Sequence, residues 1–179
     1  MYILVEKINN IGIILSIIII IIFILLTEVG SYIWHRWGMH RDIVPFIFGI
    51  QNTHAIHHQE YLKHGNDFVY TAIIVFLYAI VLAIFSYAVG ISTYVYLLLY
   101  VPVLVVFVWN WYIHHAYHIR GHWLNKYDWF RENRKLHFQH HINTEGNYGI
   151  ASHFSDQILG TFAKEKYGRV TDDELFFHN

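Results

Sequence analysis

Two apolar tracts set the architecture of this chain. The first runs almost unbroken from Ile11 to Thr27 and stays mostly apolar as far as Trp34. The second runs from Phe68 to Ile113, 46 residues without an Asp, Glu, Lys or Arg. As helix it would extend about 70 Å, at about 1.5 Å per residue. The hydrocarbon core of a bilayer is about 30 Å thick. Two crossings therefore fit, and Gly90 lies near the middle, where a tight hairpin would turn. Three membrane-spanning helices are expected, over about 11–34, 68–89 and 91–113. Pro102 lies inside the third and should kink it. The first tract is too long for the apolar region of a signal peptide, and no small-residue cleavage site follows it. Ile43–Ile50 is too short to span and is expected to lie in the interface or form a re-entrant turn. A soluble helical core is the alternative, but such cores seldom contain runs of this length.

Composition supports the same class. Hydrophobic residues make up 55% of the chain and charged residues 14%, against about 25% charged in an average soluble domain. The formal net charge of −1 argues against a nucleic-acid partner bound by a broad basic surface. The absence of cysteine excludes disulfides, iron–sulfur clusters, thiolate-ligated haem and a cysteine nucleophile. Residues 1–179 are expected to form a single membrane domain. Its non-spanning parts, 35–67 and 114–179, form a helical cap. With three spans, both lie on one side. They carry eleven Lys and Arg residues, against Lys7 alone on the other side. The positive-inside rule then puts the cap in the cytoplasm and the N-terminus outside. The membrane would be the endoplasmic reticulum in a eukaryote and the plasma membrane in a prokaryote.

The chemistry lies in the 15 histidines. Four groups stand out: His35-x4-His40, His54-x2-His57-His58, His114-x3-His118 and His137-x2-His140-His141. All begin just beyond the expected span ends. Residues three and four apart share a helix face, so each group can aim two or three imidazoles at one point. Ten neutral imidazoles are too many for one ion and suit two. Imidazole binds iron, zinc, copper and nickel alike, so spacing leaves the metal open. His122, His153 and His178 read as polar anchors or satisfied hydrogen-bonders. His64 and His115 could be ligands or lie behind them. Glu28, two turns before His35, either orients a ligand histidine or marks an early span end. A zinc-protease H-E-x-x-H string is absent. A metal transporter would carry polar ligands along a path through the bilayer, where Glu28 is the only charged residue.

The order H-x4-H, H-x2-HH, H-x3-H, H-x2-HH resembles the fatty acid hydroxylase superfamily. That group includes sterol desaturases, ceramide fatty acyl 2-hydroxylases and, more distantly, carotene hydroxylases. The likeness runs from about Glu28 to Thr161. Asn147-Tyr148-Gly149, Asp156 and Gly160-Thr161 resemble its closing motif, with Ser155 where tryptophan is usual and Leu159 in place of phenylalanine. The resemblance implies an all-α membrane fold and a di-iron centre under a cytosolic cap. Its ligands would be His35, His40, His54, His57, His58, His114, His118, His137, His140 and His141. Zinc or another divalent metal could replace iron in a purified sample. The implied reaction is O₂-dependent hydroxylation or desaturation of an unactivated lipid C–H bond. No catalytic residue beyond the metal centre is implied, and no organic cofactor. Asn147 would support the centre through water or simply make a turn before Gly149.

Electrons must come from outside the chain, which has no dinucleotide fingerprint and no H-P-G-G haem signature. A separate donor of cytochrome b5 or ferredoxin type is expected. Arg131, Arg134 and Lys135 offer a basic patch for it, or equally a solvated or lipid-headgroup face. A histidine-rich metal-binding or metal-transport protein without redox catalysis is the rival function. The polar tail after Thr161 is expected to be a capping helix or a loose end.

Overall fold

The computed structural model describes residues 6, 11–41, 50–59 and 67–163. All its regular elements are helical. They are α1 (Ile13–Ile33), a π-turn (Trp34–Met39), α2 (Ile50–Gln59), α3 (Asp67–Val89), α4 (Thr93–Tyr117), a 3₁₀ turn (Trp123–Lys126), α5 (Asp128–Ile142) and α6 (Phe154–Leu159). The stretch 42–49, the tail beyond 163, Pro45, His64 and His178 lie outside the described residues.

Among the described residues, three helices are long and apolar enough to cross a membrane: Ile13–Met39, Val69–Val89 and Thr93–Tyr117. Their large apolar side chains stay exposed, among them Ile14, Phe76, Val81 and Val105. Such faces are stable in hydrocarbon, where every backbone group must bond within its own helix. The hairpin between α3 and α4 turns as the sequence suggests. Gly90 takes φ 74°, where a Cβ would be strained, and the N–H of Ile91 bonds back to Ser86. Ser92 then caps α4 through the N–H of Val95, the usual role of serine at that position. The helix continues through Pro102, which is buried.

α4 is the central helix, with α1 and α3 packed along it. Ser16 meets Tyr94 at 2.7 Å and Ser31 meets Asn110 at 3.4 Å. Both contacts advance together along the sequence, so α1 and α4 run parallel. Their C-terminal ends therefore share one end of the bundle with the start of α3. The cap sits there. Its core is Ile113, Ala116, Tyr117, Leu124, Phe130 and Phe138, which seats α5 on the last turn of α4.

Hydropathy places the span ends at Trp34 and Ile113, with the histidines just beyond. The helices run further. His35 lies within the π-turn that continues α1, and His114 lies inside α4. Polar rings at a helix end change hydropathy but leave the backbone ladder intact, so the first and third spans continue into the cap.

Candidate metal centre

The ten histidines selected by spacing converge at the cap end of the bundle. They form two groups, each with its ring nitrogens within 4.8 Å of one another. The first group is His35, His40, His54, His58 and His140. The second is His57, His114, His118, His137 and His141.

Neither H-x2-HH triplet serves a single point, contrary to the expectation from spacing. On α2, His54 and His58 turn to the first group and His57 to the second. On α5 the roles exchange: His137 and His141 join the second group and His140 the first. The i, i+4 pair shares one face, while i+3 is rotated by about 60° from it on a helix of about 3.6 residues per turn. That rotation divides each triplet between two adjacent points. The two triplets thus stand in a reciprocal relation, and His58 stacks on His141 at 4.2 Å across the divide.

The H-x4-H pair needs a different device. Residues five apart diverge by about 140° on an α-helix. The π-turn over Trp34–Met39 removes that divergence, because its i→i+5 pattern brings residues five apart into line. His35 and His40 can then point the same way. Gly38 is required within this turn: a Cβ there would lie 2.6 Å from the Trp34 ring.

The geometry between rings suits bound ions better than hydrogen bonds. Nε2 of His40 lies 3.3 Å from that of His35, 2.9 Å from that of His54 and 2.9 Å from that of His140. One ring nitrogen cannot bond with three others. Two partners have also committed their protons elsewhere. Nδ1 of His35 donates to the carbonyl of Tyr148 at 2.5 Å, and Nδ1 of His140 donates to that of Gly146 at 2.7 Å. Their Nε2 atoms therefore present lone pairs to one another, a repulsive arrangement unless a cation lies between. Metal–imidazole bonds of about 2.0–2.1 Å place neighbouring ligands at right angles about 3 Å apart. The second group repeats this spacing, with Nε2 contacts of 3.0, 2.9 and 3.0 Å for His57–His114, His118–His137 and His141–His137.

Burial keeps these rings neutral and able to ligate. It holds His54, His137, His140 and His141 well below the ordinary imidazole value, and neighbouring imidazoles add to the effect. His58 is lowered to about 3 by the same two causes in the same order.

The loop after α5 orients the first group. Asp156, wholly buried, is its hub. One carboxylate oxygen accepts from the Tyr148 N–H and the Thr161 hydroxyl; the other accepts from the Gly149 N–H and Nδ1 of His153. Burial alone would raise the Asp156 pKa, but the bonds from His153, Thr161 and Gly149 outweigh it and hold the value below normal. These contacts fix the peptide whose carbonyl carries the His35 proton. Histidine spacing carries no trace of this support, because two of the orienting groups are backbone carbonyls.

The remaining candidates have defined places. His153 belongs to the Asp156 hub, and His122 accepts from the N–H of Leu124. His115 stacks on Trp111, outside both groups. Asn147 makes the turn, at φ 57°, and its side chain also accepts from the Ala163 N–H. Glu28 bonds to Ser152 at 3.5 Å, while His35 takes its orientation from Tyr148 instead. Arg134 is buried and donates to Asn125, Arg131 pairs with Asp128, and Lys135 pairs with Glu132. Of the three cations, Arg134 is thus withdrawn from the surface, while Arg131 and Lys135 stay partly exposed beside their carboxylates.

The family model for fatty acid hydroxylases matches residues 20–161. The chain belongs to the fatty acid hydroxylase family. The match covers both histidine groups, most of the first candidate span, the other two spans and the Asp156 loop. Membership implies an oxidoreductase acting on a lipid. No curated protein and no solved structure is matched by the chain.

Proposed function

We propose that this chain is a membrane-bound di-iron oxygenase that hydroxylates or desaturates a lipid C–H bond with O₂ and two electrons from a separate donor. One observation carries the reading: two five-imidazole groups close the end of an apolar cavity that lies between the spans. His35, His40, His54, His58 and His140 hold one ion, and His57, His114, His118, His137 and His141 hold the other. Iron is favoured because it supplies redox chemistry towards O₂ that zinc lacks.

The protein's own part is positioning. His35 and His140 keep their Nε2 lone pairs inward through the Tyr148 and Gly146 carbonyls. Apolar walls from α1, α3 and α4 exclude water and hold a hydrocarbon segment below the rings. Binding, orientation and exclusion of competing reactions are what a protein adds to a metal's chemistry. Electrons arrive from a cytochrome b5 or ferredoxin type of partner. The excess of Lys and Arg at the histidine end supports a cytosolic site, at the endoplasmic reticulum or plasma membrane. The whole chain acts as one domain.

Mössbauer spectroscopy on anaerobically purified protein tests the metal assignment. Two coupled irons per chain, with lipid oxidation once a donor and O₂ are added, are expected. Labile zinc at variable stoichiometry and no lipid product would favour a metal-binding or transport protein instead.

A further inference from the structure

A cavity of about 350 Å³ lies beneath the histidine groups. His35, His54 and His114 line its inner end, so it reaches both groups. Its side walls come from α1 and α3, with α4 behind. α1 and α3 each pack along α4 but make no extended packing with each other. A cleft therefore lies between them at the depth of the spans.

The face of α1 that lines the cavity also meets the surroundings. Phe23, Leu26, Thr27 and Gly30 recur at the spacing of a single helix face and all line the cavity. Yet Leu26 is 59% exposed, and Gly30 is exposed as well. A residue that does both stands at an opening. From Phe23 to Gly30 the mouth extends about 10 Å along the helix, at about 1.5 Å per residue. In a membrane-spanning helix the surroundings there are acyl chains.

Gly30 has no local reason to be glycine. It lies inside a regular helix, where glycine is less stable than alanine. A Cβ there would meet nothing within 4 Å, so no packed neighbour demands its small size either. What the missing side chain leaves is open space at the mouth.

We propose that a lipid chain passes sideways from the bilayer into this cavity, through the cleft between α1 and α3, and that Gly30 keeps the portal clear. The proposal rests on the lipid-oxidising reading for its purpose, but not for its occupant. A second copy of the chain could cover the cleft. It would not fill a cavity that continues inward to His35, His54 and His114.

The test uses the full metal-loaded chain in phosphatidylcholine vesicles. A fraction of the lipid carries a photoactivatable diazirine at the end of one acyl chain. After illumination, adducts are mapped by peptide mass spectrometry. Met39 and Trp111, which line the cavity, should be labelled in the natural protein. Gly30→Phe should cut that labelling at least tenfold while leaving Phe76 and Val81, on the exposed face of α3, labelled as before. Gly12→Phe is the control: it too has open space but lies outside the cavity lining, and it should label like the natural protein. If Gly30→Phe does not insert, Ile74→Trp on the opposite wall serves the same purpose. Absence of interior adducts in the natural protein, or interior labelling unchanged by both variants, overturns the proposal. So do cross-links joining two copies through Leu26. Interior labelling without any oxidised lipid would count against the oxygenase and support the portal.

Discussion

His35 donates its Nδ1 proton to the carbonyl oxygen of Tyr148, a residue 113 positions later in the chain. The bond ties the continuation of α1 to the loop after α5, and Asp156 holds that loop by both its oxygens. The charge on Asp156 is therefore a structural requirement of the first histidine group.

Asp156→Asn tests this. Each carboxylate oxygen faces one backbone N–H, from Tyr148 or Gly149. Whichever way the amide is turned, its NH₂ meets one of those fixed donors. A buried donor left unpaired costs about 1–3 kcal/mol. The variant should lose about that much stability in detergent. Weakened support behind a metal-binding histidine should also lower affinity at the first group by about 10–100-fold. The second group should keep its ion. Equal loss of both ions, read by titrating metal into the stripped protein, would contradict the proposed role.

The split of the H-x2-HH triplets makes a sharper demand. His57 and His58 are adjacent in sequence yet turn to different groups. His58→Ala should lower occupancy of the first site, and His57→Ala that of the second. His140→Ala and His141→Ala should repeat the contrast from α5. All four variants should still insert, and all should lose at least about 100-fold in activity. Metal titration with a spectroscopic probe for each site separates the classes. If His57→Ala and His58→Ala weaken the same ion, the division of ligands is wrong.

Much of this architecture was legible in the sequence because it rests on composition and period. Two apolar tracts gave three spans, and glycine at 90 marked the hairpin. The four histidine groups were legible for the same reason: the spacing of imidazoles on a helix is set by 3.6 residues per turn. How His54, His57 and His58 divide between two points was not, since that depends on where α2 lies against α5. The π-turn that aligns His35 with His40 also escaped, because no residue type specifies it in advance. The orienting carbonyls of Gly146 and Tyr148 carry no side-chain signature. Asn147, Tyr148, Gly149 and Asp156 stand out in the sequence only through family resemblance, and their physical role lies in hydrogen bonds between distant segments.

Gly149 offers a steric test of the same loop. A Cβ there would collide with the backbone carbonyl of Ser152 and would lie 2.9 Å from the Asp156 carboxylate. Backbone cannot rotate aside as a side chain can. Gly149→Ala should therefore disrupt the hub, with destabilisation of about 1–3 kcal/mol or more as overpacking requires. Gly12→Ala, where nothing lies within 4 Å, should be tolerated. Thermal unfolding of the two purified variants makes the comparison. Equal stability would show that the loop yields more readily than its contacts suggest.

The pH response of metal-free protein follows from the buried rings. In the unfolded chain each imidazole takes a proton near pH 6.5. In the folded chain burial holds His58 unprotonated until about pH 3, and His54, His137, His140 and His141 also stay neutral well below 6.5. Between those limits the unfolded state binds more protons, so stability rises with pH. It should be fully present above about pH 6.5 and fall progressively as the solution is acidified towards pH 5. Asp156 works in a separate window: its lowered pKa contributes stability that is lost only below about pH 4, near the unfolded carboxyl value. Unfolding midpoints measured in chelator from pH 8 to about pH 4 therefore read the histidine contribution before that of Asp156 begins to be lost. Replacing His58 by Gln should make that curve shallower between about pH 6.5 and about pH 4. A natural protein whose midpoint does not move between pH 7.5 and pH 5 would mean that these histidines are not held neutral by the fold.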